Sequence, residues 1–272
     1  MTYTRKQKRN GKIYYSLAER VKTSKGWGSK TLVSYGINPP IFYEPKIIKG
    51  FAEAELKKLA DNSVDLIIID PPYGIEFDTN HRKDKPENIG KIDFDDERIF
   101  KIFPEIISEC YRVLKNDAAL YCFSRWDVAG QFIKMIEKYF KVKNNLIWVK
   151  NNWSMGDLEG AYGSKYENII FAVKGKHILN HGRNSDILEF DRIGGKSLLI
   201  SHQKPLELLD FLIKKSSKQG DVVLDCFMGS GSSLVSAKRL CRQGIGIEID
   251  DKCIEIAKKR LEELNLNKKY EN

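Results

Sequence analysis

Leu66, Ile67, Ile68 and Ile69 form a continuous branched, apolar run that stops abruptly at Asp70-Pro71-Pro72-Tyr73. A short run of this kind is a buried strand. Two consecutive prolines end the sheet ladder, because neither has an N–H to donate. Asp70 is therefore expected at the carboxyl end of a buried strand, where open α/β sheets place their ligands. The prolines stiffen the turn and present Tyr73 on it. A carboxylate, a fixed Pro71 carbonyl and an aromatic face suit a planar group that carries an amine: the face stacks and the oxygens accept N–H bonds. Taken alone, the same four residues serve equally well as a strand-terminating turn.

A second stretch narrows the choice. Asp221-Val222-Val223-Leu224-Asp225-Cys226-Phe227-Met228-Gly229-Ser230-Gly231-Ser232-Ser233 reads as strand, glycine turn and helix. Gly229 and Gly231 let backbone approach a ligand, and Ser230, Ser232 and Ser233 are candidate caps for the helix. Residues 244–250 then form a second strand ending in acids, with Glu248 17 residues after Gly231. An acid at that distance from a glycine turn is placed for ribose hydroxyls. The turn is not a full G-x-G-x-x-G and no P-loop lysine follows, so it is built for a nucleoside rather than a polyphosphate.

In this order the two stretches resemble the S-adenosylmethionine-dependent amino-methyltransferases of DNA, in their permuted β group. Asp70-Pro71-Pro72-Tyr73 is similar to that family's catalytic motif, and Phe227-Met228-Gly229-Ser230-Gly231 to its cofactor motif. The resemblance runs from about Pro45 to Leu264. It implies a class I methyltransferase fold: a mostly parallel, seven-stranded sheet with helices on both faces and one antiparallel strand, for which residues 167–173 are the candidate. It implies a cofactor site of Gly50, Phe51, Asp70, Lys204, Pro205, Asp225, Phe227, Met228, Gly229, Ser230, Gly231, Ser232, Glu248 and Ile249. The family often has two further residues after the histidine at the position of His202, and here they are missing. An aspartate at the first motif position implies N6 methylation of a flipped adenine in duplex DNA, with Tyr73 stacking on the base. The alternatives are a cytosine-N4 methyltransferase, an enzyme of RNA or protein amides, and a catalytically inactive DNA-binding module. A cognate restriction endonuclease is a candidate partner, and the chain is expected to act as monomer or homodimer.

The net charge of +9 is concentrated at one end. Residues 1–30 hold nine lysines and arginines against Glu19 alone, a net +8. Residues 1–40 are therefore expected to be a basic arm, with a β-hairpin over 12–36, that meets phosphate. Its candidate contacts are Arg5, Lys6, Lys8, Arg9, Lys12 and Lys25. Residues 41–272 form the catalytic domain. Within it the polar stretches 75–96, 150–165 and 176–201 are candidate target-recognition loops, and Lys150, Asn152, Trp153 and Arg183 are candidate DNA contacts. The stretch 78–96 is expected to act as a lid. Helices are expected over 52–59, 104–114, 128–139, 205–215, 232–240 and 252–264, the last capped by Asp251. Five scattered cysteines without a C-x-x-C pair read as free thiols. No apolar run approaches the roughly 20 residues of a membrane helix. No metal-ligand spacing is visible, so no metal is expected. The chain is expected to be cytoplasmic and nucleoid-associated, in a prokaryote or phage.

Overall fold

The computed structural model describes residues 2–24, 26–74, 97–153, 159–194, 198–200 and 203–264. The expected lid at 78–96, His202 and Lys25 lie outside these residues.

Eight strands form the central sheet. In chain order they are β4 (Lys46–Lys49), β5 (Val64–Ile69), β6 (Leu114–Ser124), β7 (Lys141–Val149), β8 (Tyr166–Lys174), β9 (Ile187–Glu189), β10 (Val222–Asp225) and β11 (Gln243–Glu248). Their spatial order is β4-β11-β10-β5-β6-β8-β7-β9. β8 runs antiparallel to both of its neighbours, β6 and β7, and every other pairing is parallel. This is the antiparallel strand anticipated at 167–173. The sheet has eight strands rather than seven, because Ile187–Glu189, in a stretch expected to be loop, pairs with β7.

β5 is buried on both sides, and its period of two splits its side chains between two cores. Ile67 and Ile69 pack with α2 (Arg98–Val113) and α3 (Ala129–Ile136). Leu66 and Ile68 pack with α4 (Leu206–Ser216). Each such side chain withdrawn from water contributes about 1.5–3 kcal/mol. A smaller core joins α5 (Ser232–Arg239) to α6 (Asp251–Glu263). The short helix α1 (Ala52–Glu55) continues as a 3-10 turn. α2 begins earlier than expected, so Pro104 sits inside it rather than in its first turn. The cap of α6 is Asp250, whose carboxylate accepts from Lys252 N, and not Asp251.

The basic arm is a three-stranded antiparallel sheet, not a hairpin alone. Its strands are β1 (Thr2–Arg9), β2 (Lys12–Thr23) and β3 (Gly26–Gly36). β1 is made of polar and charged residues, Tyr3 apart, and has no apolar period to reveal it. The sheet shares a core with the main domain: Leu17, Val33 and Tyr35 are buried together with Leu208, Leu212 and Leu240. The Tyr35 hydroxyl donates to the Arg239 carbonyl at 2.8 Å.

Candidate active site

β5 lies between β10 and β6. From β5 the chain steps outward to β6 on one side, while β10 steps to β11 on the other. This is a topological switch point, and ligands of open α/β sheets bind at the carboxyl ends there. Asp70 follows the end of β5 and Asp225 ends β10, so the two distant motifs stand side by side.

Both oxygens of the Asp70 carboxylate are engaged. Oδ1 accepts from the Tyr73 hydroxyl at 2.6 Å and Oδ2 from Lys204 Nζ at 2.5 Å. Lys204 Nζ also lies 3.3 Å from Glu167 Oε2, and Lys150 Nζ donates to Glu167 Oε1 at 2.5 Å. The result is a chain of alternating charge, Asp70–Lys204–Glu167–Lys150, with no net charge. The Lys204 side chain is only 7% exposed and its ammonium lies 5.0 Å from the centre of the Phe123 ring. Burial pushes its pKa down, but Asp70 and Glu167 outweigh burial and the net direction is up. Lys204 is therefore a buried ammonium held charged by two carboxylates.

The glycine turn is fixed from below by carboxylates. Asp225 is buried; Oδ1 accepts from Phe227 N at 3.0 Å and Oδ2 from Ser233 Oγ at 2.5 Å. Burial pushes its pKa up to about 7, against the lowering effect of those two bonds. Glu248 gathers three backbone N–H groups: Oε2 accepts from Gly229, and Oε1 from Ile249 and Asp250. The turn also closes on itself, Gly231 N donating to the Met228 carbonyl at 2.8 Å.

A DNA methylase family model matches residues 64–259, most of the chain and both motifs. The chain belongs to the DNA methylase family. The Type II methyltransferase M.HpaI of Haemophilus parainfluenzae is 31% identical to it over 246 residues, 80% of this chain and 74% of its own. The DNA adenine methyltransferase YhdJ of Escherichia coli strain K12 is 32% identical over 256 residues, 79% of this chain and 82% of its own. Among solved structures, the M1.HpyAVI–SAM complex superposes with a TM-score of 0.62 at 26% identity, covering 80% of this chain and 99% of that one. The cytosine-N4-specific PvuII DNA methyltransferase superposes at 0.64 over 85% of this chain and 90% of its own, but at 15% identity this shows the fold alone.

Several residues of this methylase take roles other than those expected from sequence. Tyr73 is half-buried. Its ring packs against the α2–α3 core and its hydroxyl serves Asp70. Burial, then the Asp70 charge, holds the phenol in its protonated form. None of the three serines caps α5, whose cap is Gly231 in the left-handed region at φ 72°. Ser230 and Ser232 turn to the Arg260 guanidinium, and Ser233 donates to Asp225. Met228 is buried in the α5–α6 core. A Cβ on Gly231 would meet Ala257 Cβ at 2.8 Å, so helix packing as well as its left-handed backbone requires glycine there. Asp225, Met228, Ser230 and Ser232 therefore build the turn from behind.

The residues left facing outward are a smaller set. Phe51 is 51% exposed beside the end of β11, where Gly50 N donates to the Glu248 carbonyl. Glu248 retains acceptor capacity beside Phe51, and Lys204 stands at Asp70. Lys150 is not free for DNA: it is drawn inward to Glu167 and lies 5.1 Å from the Trp148 ring centre. Asn152, Trp153 and Arg183 are exposed. Glu167 was read from sequence only as the start of a strand. Its one local signal is a carboxylate just ahead of the apolar run 169–173. Among the described residues, no group of three or more His, Cys, Asp or Glu is placed to hold a metal. No helix among them is long and apolar enough to cross a membrane. All five cysteines are free thiols, four of them buried.

Proposed function

We propose that this DNA methylase transfers a methyl group from S-adenosylmethionine to the N6 amine of adenine in duplex DNA, within a specific sequence. The observation that carries the reading is the Asp70 carboxylate standing beside the Gly229–Gly231 turn, in a chain whose relatives include a DNA adenine methyltransferase. The order of the two motifs along the chain supports placement in the permuted β group.

The residues present fit the cofactor. An exposed Phe51 ring offers a wall for adenine, Glu248 offers acceptors for ribose hydroxyls, and Lys204 offers an ammonium for the methionine carboxylate. When bound, S-adenosylmethionine supplies an electrophilic sulfonium methyl. The chain's task is to expose the amine lone pair, which the adenine ring otherwise delocalises. N–H bonds from the amine to Asp70 and to the Pro71 carbonyl turn that lone pair toward the methyl. Acceptors already in place cost no reorganisation at the moment of transfer. Lys204 must yield its place on Asp70 as the amine arrives. Glu167 keeps it paired, so no buried charge is left alone. The adenine must leave the helix to reach Asp70, at a cost of a few kcal/mol.

The test is incubation with methyl-labelled S-adenosylmethionine and duplex DNA, followed by mass spectrometry of the nucleosides. N6-methyl-2′-deoxyadenosine from wild type, and none from Asp70→Ala, is the expected result. N4-methyl-2′-deoxycytidine would redirect the specificity, and binding without turnover would make the chain an inactive DNA-binding module.

A further inference from the structure

The family match begins at residue 64, so the N-terminal sheet lies outside it. The sheet is also where the charge is. Cross-strand partners share a face, and successive residues alternate between faces. Arg5 pairs with Ser16, Arg9 with Lys12, Arg20 with Ser29 and Lys22 with Trp27. One face therefore carries Arg5, Arg9, Lys12, Arg20 and Lys22. Glu19, the only carboxylate in residues 1–36, belongs to the other face. That second face packs Leu17 and Val33 into the main core and also carries Lys6, Lys8 and Lys30, whose side chains are exposed beyond the packed centre. Glu19 there lies opposite Lys30.

The outward face has three further properties. Trp27 stands on it 76% exposed. Arg5 reaches over Ala18, with its two terminal nitrogens held by the Ser29 and Thr31 hydroxyls at 2.7 and 2.6 Å. The sheet is anchored through Tyr35 to Arg239, so the face is fixed to the catalytic domain. Three strands of this length span about 10 Å between outer strand axes and about 30 Å along them. That length is close to one duplex turn of about 34 Å.

We propose that this face is a docking surface for the phosphate backbone of duplex DNA, separate from the region that reads the target base. The proposal rests on the DNA-methyltransferase reading above. Five cations on a face whose own residues include no carboxylate complement a polyanion, and an exposed tryptophan can lie against the sugar-phosphate edge. Phosphate contacts of this kind position the duplex without reading its sequence. Charge reached on the sequence as one cluster is thereby divided: Lys6 and Lys8 leave the set of DNA contacts, and Arg20 and Lys22 join it.

The experiment compares two full-length variants of equal charge change. One is Arg9→Gln/Arg20→Gln/Lys22→Gln on the outward face; the other is Lys6→Gln/Lys8→Gln/Lys30→Gln on the packed face. Duplex affinity is measured at several salt concentrations, on cognate and unrelated sequences. S-adenosylmethionine affinity is measured by calorimetry, and the fold is checked by thermal unfolding. At about 0.9 per phosphate contact, the outward variant should lose about 2.7 units of slope in log affinity against log salt. Over a fourfold rise in salt this makes the wild type lose affinity about 40-fold more than the outward variant. The loss should be the same on both sequences, and the packed-face variant should keep the wild-type slope. Equal slopes for the two variants, or loss on cognate DNA alone, would each overturn the proposal. Failure of the catalytic reading is distinguishable, because wild type would then bind duplex but leave no methylated base.

Discussion

Replacing Asp225 by Asn should make the protein more stable at neutral pH, although the residue sits under the cofactor turn. The carboxylate is 6% exposed and its pKa is pushed up to about 7, from 3.8 for the free group. The native state therefore holds the proton more tightly than the unfolded chain between pH 4 and pH 7. Stability must fall as pH rises through that window, because the native state is the one that loses binding energy for a proton. A shift of about three units corresponds to an upper limit of about 4 kcal/mol once the pH exceeds 7. Asparagine removes this loss while keeping the contacts. Its Oδ1 can accept from Phe227 N, and its Nδ2 can donate to Ser233 Oγ in place of the hydroxyl's own donation. The expected result is near-equal stability of the two proteins at about pH 3.5 and a growing advantage for Asp225→Asn up to pH 8. Urea unfolding at four or five pH values reads this as a midpoint difference. S-adenosylmethionine affinity at pH 8 should be nearly unchanged, because the turn is held as before. A difference that does not vary with pH, or a variant less stable than wild type at pH 8, would refute the reasoning.

Asp70→Ala should abolish methylation and leave most of the S-adenosylmethionine affinity; turnover within about tenfold of wild type, ~1.4 kcal/mol, would remove Asp70 from the role assigned to it. Glu167→Gln leaves Lys204 to Asp70 alone, so kcat should fall by about tenfold (~1.4 kcal/mol) while duplex affinity holds; a parallel loss in thermal stability and affinity would indicate a fold defect instead. Gly231→Ala should cost about 1–2 kcal/mol for its left-handed backbone and about 1–3 kcal/mol more for the clash with Ala257. Ala257→Gly in the same chain should recover the second part, and strict additivity of the two changes in thermal unfolding would contradict the packing explanation.

The features legible in the sequence were those with a local cause. The apolar run before Asp70 must be buried, and Pro71 and Pro72 end a ladder wherever they occur. The glycine turn between strand and helix and the strand at 167–173 follow equally from short-range pattern, while the antiparallel sense of that strand came from the family resemblance. Tertiary structure decided which way each side chain turns. Ser230 and Ser232 could cap a helix in any sequence, but Arg260, delivered by α6, takes their hydroxyls. Gly231 reads as a place for ligand approach, and only the fold shows Ala257 packed behind it. Lys204, Glu167 and Lys150 lie on three separate segments and meet only because β8 inserts between β6 and β7. The division of the basic arm into two faces has the same origin. Alternation along a strand sorts residues into two sets, but only packing of Leu17 and Val33 with α4 decides which set is joined to the main core. Local periodicity records what a segment can be, whereas burial and charge pairing depend on partners that the chain brings from elsewhere.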